Sequence, residues 1–113
     1  MNSNASIWNS LPVPAFIIDV DDRISDVNAA GEGFLNASRK AVVGHPVWDQ
    51  IAVDAPLEEA FERARTLGTP LFVNDVDAGS GNRAPLQCAL QIAPLVGHPG
   101  SVSYTHLTLP TKA

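Results

Sequence analysis

Pro14-Ala15-Phe16-Ile17-Ile18-Asp19-Val20-Asp21-Asp22-Arg23-Ile24-Ser25-Asp26-Val27-Asn28 is the stretch on which the fold turns. Ala15 to Val20 is a short apolar run with Pro14 before it and two aspartates after it, which predicts a buried strand. Asp21-Asp22 supplies a tight turn, and Arg23 to Val27 is a second, shorter strand with Ile24 and Val27 as its apolar positions. The two form a hairpin. Asn28 follows as a helix N-cap, its side chain able to accept from the free amides of the next turn. Ala30, Phe34 and Leu35 are the inward positions of that helix.

Upstream, Ser6 to Ser10 predicts a short helical turn, and Leu11-Pro12-Val13-Pro14 forces an extended path. Downstream, Ser38-Arg39-Lys40 and Val42-Val43-Gly44-His45-Pro46 read as a looser stretch. Val47 to Ile51 is one more helical turn with Trp48 packing inward. The strongest helix is Pro56 to Leu67. Leu57, Ala60, Phe61, Ala64 and Leu67 share one face, while Glu58, Glu59, Glu62, Arg63 and Arg65 share the solvated one. Glu59 and Arg63 have the favourable four-residue spacing. Pro56 suits the first turn and Gly68 the C-terminal cap.

Leu71 to Val76 is a third strand, residues 77–82 are a hairpin loop, and Arg83 to Leu95 is the longest strand. In it Leu86, Cys88, Leu90 and Ile92 alternate with Gln87, Ala89 and Gln91, the mark of an antiparallel sheet covered on one side. Gly97 to Gly100 forms a turn. The order is strand, strand, helices, strand, strand, with a fifth strand due where residue 102 begins.

Composition narrows the classes. The chain has 113 residues and 45% hydrophobic content, enough for one core and too short for two domains. A formal net charge of −5 without clustered Lys and Arg sets nucleic acid aside, and anionic lipid with it. No apolar run approaches the roughly 20 residues that span a bilayer, and the N-terminus lacks a signal-peptide pattern. Cys88 is alone, so no disulfide framework is expected. The plain reading is cytoplasmic.

The order of elements resembles the PAS domain. Ile7-Trp8-Asn9-Ser10-Leu11-Pro12-Val13-Pro14-Ala15-Phe16-Ile17-Ile18-Asp19 is similar to its helix-to-first-strand entry. Asp26-Val27-Asn28-Ala29-Ala30 is similar to its second strand and Asn-capped helix, and Gly44 with Pro46-Val47-Trp48 to the segment before the long helix. Ala55 to Phe61, Gly68 to Val76 and Arg83 to Cys88 narrow this to the N-terminal sensory region of nitrogen-regulation (NtrB-type) histidine kinases. The resemblance implies an α+β fold with an antiparallel sheet, five-stranded when complete, and helices on one face. It also implies a sensory module acting through dimerisation and relay to a kinase core outside this chain. Such kinases phosphorylate a response regulator under a PII-type protein, through domains whose motifs are absent here. A small-molecule receptor PAS domain of another signalling protein or transcription regulator stands as the alternative.

Val102 to Ala113, VSYTHLTLPTKA, is a separate matter. Its first ten residues resemble the translation of a transposase-based sequencing adapter. On that reading residues 1–101 are the sensory domain, cut within its last strand, and 102–113 are a non-native tail. Tyr104, His106 and Lys112 would then have no function of their own. The tail alternates well enough over Val102 to Leu109 to pair in the missing strand's place.

No catalytic, cofactor or metal residues are expected. Asp19, Asp21, Asp22 and Asp26 lack the further ligands and central Gly of a Ca²⁺ loop and read as a solvated turn. Asp75 and Asp77 read as strand-end solvation. His45 and His98 are loop histidines, and the long helix has no histidine for haem. Cys88 sits among strand residues as a small hydrophobe, away from the position a flavin-reactive cysteine would need. Gly79-Ser80-Gly81 enters a strand and not a helix, so it is a turn and not a phosphate loop. Phe16, Phe34, Trp48, Phe61, Phe72, Cys88 and Leu90 are the residues for a core or pocket. Ile7, Trp8 and Leu11 are the candidate dimer contacts, with Gln87, Ala89 and Gln91 on the outer sheet face.

Overall fold

The computed structural model describes residues 3–80 and 83–107. Its elements are α1 (Ser3–Ser10), β1 (Ala15–Ile18), β2 (Ile24–Val27), α2 (Ala29–Leu35), α3 (Arg39–Val42), a 3₁₀ turn (Val47–Asp49), β3 (Ala52–Val53), α4 (Leu57–Leu67), β4 (Leu71–Ser80), β5 (Arg83–Pro94) and β6 (Val102–Leu107). The six strands form one sheet in the order β2-β1-β6-β5-β4-β3, and every neighbouring pair runs antiparallel.

Register explains the core. Val27 stands opposite Phe16, Phe16 opposite Tyr104, Tyr104 opposite Ile92, and Ile92 opposite Leu71. Directly opposed residues share a face, so one apolar row crosses five strands. All but half-buried Leu71 are buried. Phe34 and Leu35 of α2 and Leu57, Phe61 and Ala64 of α4 join the same core cluster.

β6 completes the sheet. It lies between β1 and β5, pairing over residues 102–107, with Val102, Tyr104 and His106 buried. The expected pairing out to Leu109, and Lys112, lie outside the described residues, as do residues 81–82 of the expected hairpin loop and the side chain of Leu86. Residues 77–80 of the expected loop extend β4 instead. The cause is backbone pairing: Asp77, Ala78 and Ser80 stand opposite Gln87, Leu86 and Arg83.

Other boundaries shift for local reasons. Ser38 accepts a hydrogen bond from Ala41 N at 3.3 Å, turning the expected loop into α3. Asp19 and Val20 leave the first strand because the Asp19 carboxylate accepts from Asp21 N and Arg23 N at 2.9 and 3.0 Å, closing the turn. Asp22 adopts φ 61° there. β3 is only two residues long and carries no sequence signal of its own.

Two inward positions were wrong. Trp48 is 39% exposed, because its three-residue turn buries Val47 and leaves one side for the larger ring. Leu67 is exposed in the last turn of α4. Arg65 errs the other way: read as solvated, it has a side chain only 11% exposed.

Candidate functional site

Asn28 joins the hairpin to α2. Its Oδ1 accepts from Gly31 N at 2.8 Å and from Ala15 N at 3.0 Å, and its Nδ2 donates to Val13 O at 3.0 Å. The residue is wholly buried, so these bonds are what make its burial tolerable. The N-cap expected from sequence is thus also a clamp on the strand entry.

Beneath it lies an aromatic interior. The Phe16 and Tyr104 rings stack at 5.6 Å, Phe61 meets Tyr104 edge-on at 5.8 Å, and Phe34 meets His106 edge-on at 4.4 Å. Tyr104 Oη and His106 Nε2 are 2.8 Å apart. Burial lowers the His106 pKa to about 4 and raises that of Tyr104, with Cys88 a smaller cause. Imidazole and phenol are therefore both neutral at pH 7.

Of the residues named for a core or pocket, Phe16, Phe34, Phe61, Cys88 and Leu90 are buried in this interior. Burial, then the carboxylates of Asp77 and Asp54, raise the Cys88 thiol, which disfavours a thiolate nucleophile. Trp48 borders it through the Phe61 ring at 5.4 Å, and Phe72 lies apart. Phe72 is 61% exposed, since β4 turns half-buried Leu71 and Val73 to the opposite side. It lines a small cleft of about 170 Å³ with Ala60 and Arg63. Trp48 lines a larger one of about 710 Å³, with Ile51, Val53 and Leu57 as apolar walls and Glu58, Glu59 and Glu62 as its acidic side.

The turn aspartates are held by protein partners. Asp22 accepts from Arg65 at 2.8 Å and Asp26 from Arg39 at 2.7 Å. Arg65 also donates to Asp19 O at 2.9 Å and Gly100 O at 2.7 Å, and reaches Glu62 at 3.3 Å. One guanidinium thereby ties α4 to the β1–β2 turn and to the β5–β6 loop. Sequence reading missed it, since nothing in an i,i+4 pattern reports acceptors more than thirty residues away. Tyr104 and His106 fall in the stretch expected as a tail, whose alternation gave its pairing in the fifth strand's place over residues 102–107. Among the described residues no three His, Cys, Asp or Glu side chains converge as a metal site would. His45 and His98 are exposed on loops.

On α1, Ile7 is 62% and Leu11, just beyond its end, 37% exposed. Trp8 is half-buried, and its indole Nε1 is shielded from solvent without a hydrogen-bond partner among the described residues.

The sequence pattern of the PAS fold matches residues 4–105. The chain belongs to the PAS family. This PAS domain is 51% identical over 96 residues, 85% of its length, to the sensory histidine kinase/phosphatase NtrB of Rhodobacter capsulatus. The match covers 27% of that protein, so the chain spans about a quarter of this relative. Its structure superposes on the PAS domain of nitrogen regulation protein NR(II) from Vibrio parahaemolyticus with a TM-score of 0.80 and 17% identity, covering 96% of this chain and all of that one. A domain of a sensory box sensor histidine kinase/response regulator from Geobacter sulfurreducens gives 0.72 and 16%, covering 94% and 91%. These two show the shared PAS fold. The closely related sequence is the NtrB-type sensory region.

Proposed function

We propose that this PAS domain is the sensory and regulatory module of a two-component nitrogen-regulation histidine kinase, acting through dimerisation and relay. The observation that carries the proposal is the 51% identity to NtrB over 85% of the chain. The module itself transfers no phosphate. Phosphoacceptor and nucleotide site belong to other parts of the parent protein, through which it meets a response regulator and a PII-type protein in the cytoplasm. None of the described helices is long and apolar enough to cross a membrane, which agrees with that placement.

Two features support relay over an internal ligand. Within residues 1–101, the space between sheet and helices is taken up by Phe16, Phe34 and Phe61. Ile7 and Leu11 offer apolar surface at one end of the domain, where Ile7, Trp8 and Leu11 would meet a second copy. The same reading takes residues 102–113 as adapter-derived, with β6 seated by β propensity in the slot of the native fifth strand. Sequencing the source locus past codon 101 tests that part.

The functional test is a chimaera. The R. capsulatus kinase carrying this domain in place of its own is expected to keep nitrogen-responsive transcription of a reporter. Ile7→Glu with Leu11→Glu is expected to abolish both the response and the self-association of the domain in sedimentation. An unregulated chimaera with a well-folded domain overturns the assignment.

A further inference from the structure

The cleft beside Trp48 has a make-up that the aromatic interior does not share. Its floor is Trp48, Ile51, Val53 and Leu57, and its rim is Glu58, Glu59 and Glu62, with no cationic residue among those that line it. Trp48 is held in place by its neighbour, the Phe61 ring 5.4 Å away, yet it keeps 39% of its surface exposed. Glu62 shares Arg65 at 3.3 Å. Glu58 and Glu59 have no ion-pair partner among the described residues; the Glu59–Arg63 spacing does not close into a bridge there. One wall is β3, the terminal strand of the sheet, whose outer edge has no strand partner among the described residues.

We propose that this cleft docks a basic, amphipathic segment of a separate protein: one large apolar side chain seated against Trp48 and Leu57, with Lys or Arg on either side of it facing the glutamates. Charge complementarity argues for this occupant. Three carboxylates along one rim repel an acidic or plain apolar segment and attract a cationic one, and an exposed tryptophan beside them gives both apolar area and a π face for a guanidinium. A chain fits better than a small amine. The cleft is open to solvent on one side, whereas small ligands bind where most of their surface is enclosed. This inference does not rest on the nitrogen-kinase assignment, since it uses only the local surface.

The test uses the 113-residue chain and a fluorescein-labelled synthetic peptide with four Lys/Arg around a central Leu and Phe. Anisotropy is expected to show saturable binding that weakens with salt, with amide shift changes gathered at Trp48, Ile51 to Val53 and Leu57 to Glu62. The double change Glu58→Gln with Glu59→Gln is expected to weaken binding about tenfold, as is replacing the peptide's Leu and Phe by Ser. Trp48→Ala should do the same. Because it removes a ring packed on Phe61, the exposed glutamate variants carry the decision if it fails to fold. The proposal is overturned by no binding at about 1 mM peptide, by equal binding to the glutamate variants, or by shift changes elsewhere. Spermidine competing as well as the peptide would assign the cleft to small organic cations instead. A dimer in sedimentation that Trp48→Ala dissociates would assign it to a second copy.

Discussion

Tyr104 and His106, two residues apart on β6, point into the same core and meet at 2.8 Å through Oη and Nε2. Around them are the rings of Phe16, Phe34 and Phe61, so a proton added to the imidazole would be a charge without a counter-ion.

Stability should therefore depend on pH through His106. Its pKa is about 4 in the folded domain and 6.5 when unfolded. The unfolded chain takes up the proton first, so stability is full above pH 6.5 and is lost as pH falls toward 4. The loss amounts to about 3 kcal/mol across that window. Urea unfolding at several pH values measures it. His106→Gln, neutral throughout, should flatten this part of the profile, and an unchanged slope would refute the assignment.

The two glycines of α2 should respond with opposite signs. A Cβ at Gly31 would collide with Val27 Cγ2 and stand 3.3 Å from the Phe16 ring, in a packed interior. Gly31→Ala is expected to destabilise by about 1–3 kcal/mol despite alanine's better helix propensity. At Gly33 a Cβ meets nothing within 4 Å, and Gly33→Ala is expected to stabilise by about 0.5–1 kcal/mol. Thermal melts of both variants decide the pair.

Asn28→Ala removes one acceptor and one donor from a fully buried place, leaving Ala15 N, Gly31 N and Val13 O to find new partners. The expected cost is about 2–4 kcal/mol, above that of an ordinary N-cap, because the bonds extend beyond the helix to the strand entry. Chemical denaturation reads the total. Hydrogen exchange should show faster exchange at Ala15 as well as at Gly31.

Arg65→Lys tests the three-way tie. A lysine keeps the charge but cannot offer a planar fork to Asp22, Asp19 O and Gly100 O together. A loss of about 1–3 kcal/mol is expected, with faster amide exchange in residues 95–101. If lysine restored full stability, charge alone would account for Arg65.

Much of this fold was legible because its signals are local. Asn28 before a helix, Pro56 and Gly68 around α4, and the alternation through Cys88, Leu90 and Ile92 each read correctly from adjacent residues. What escaped was set by partners distant in sequence. Arg65 lies on the polar stripe of α4, and only the arrival of Asp19, Asp22 and Gly100 covers this one side chain of the stripe. β3 exists because Ala52 and Val53 find Gly79 and Ala78. Trp48 and Phe72, expected in a core or a pocket, line clefts and not the core, since Val47 and the two-residue period of β4 take the inward places. The Trp48 cleft combines a turn, an edge strand and a helix start, and no single stretch announces it.

The position of β6 also sets a timetable. β1 and β2 on one side of it, and β5, β4 and β3 on the other, touch the same sheet only through this strand. In this chain Phe16 is made early in synthesis and waits for Tyr104, 88 residues later by number, before its ring has a stacking partner; a native fifth strand in the same slot imposes the same wait. While the chain is on the ribosome, two half-sheets with open edges must coexist. The domain can close cooperatively only after residue 107 has left the exit tunnel. Until then its exposed edges are the part of the molecule most in need of a chaperone.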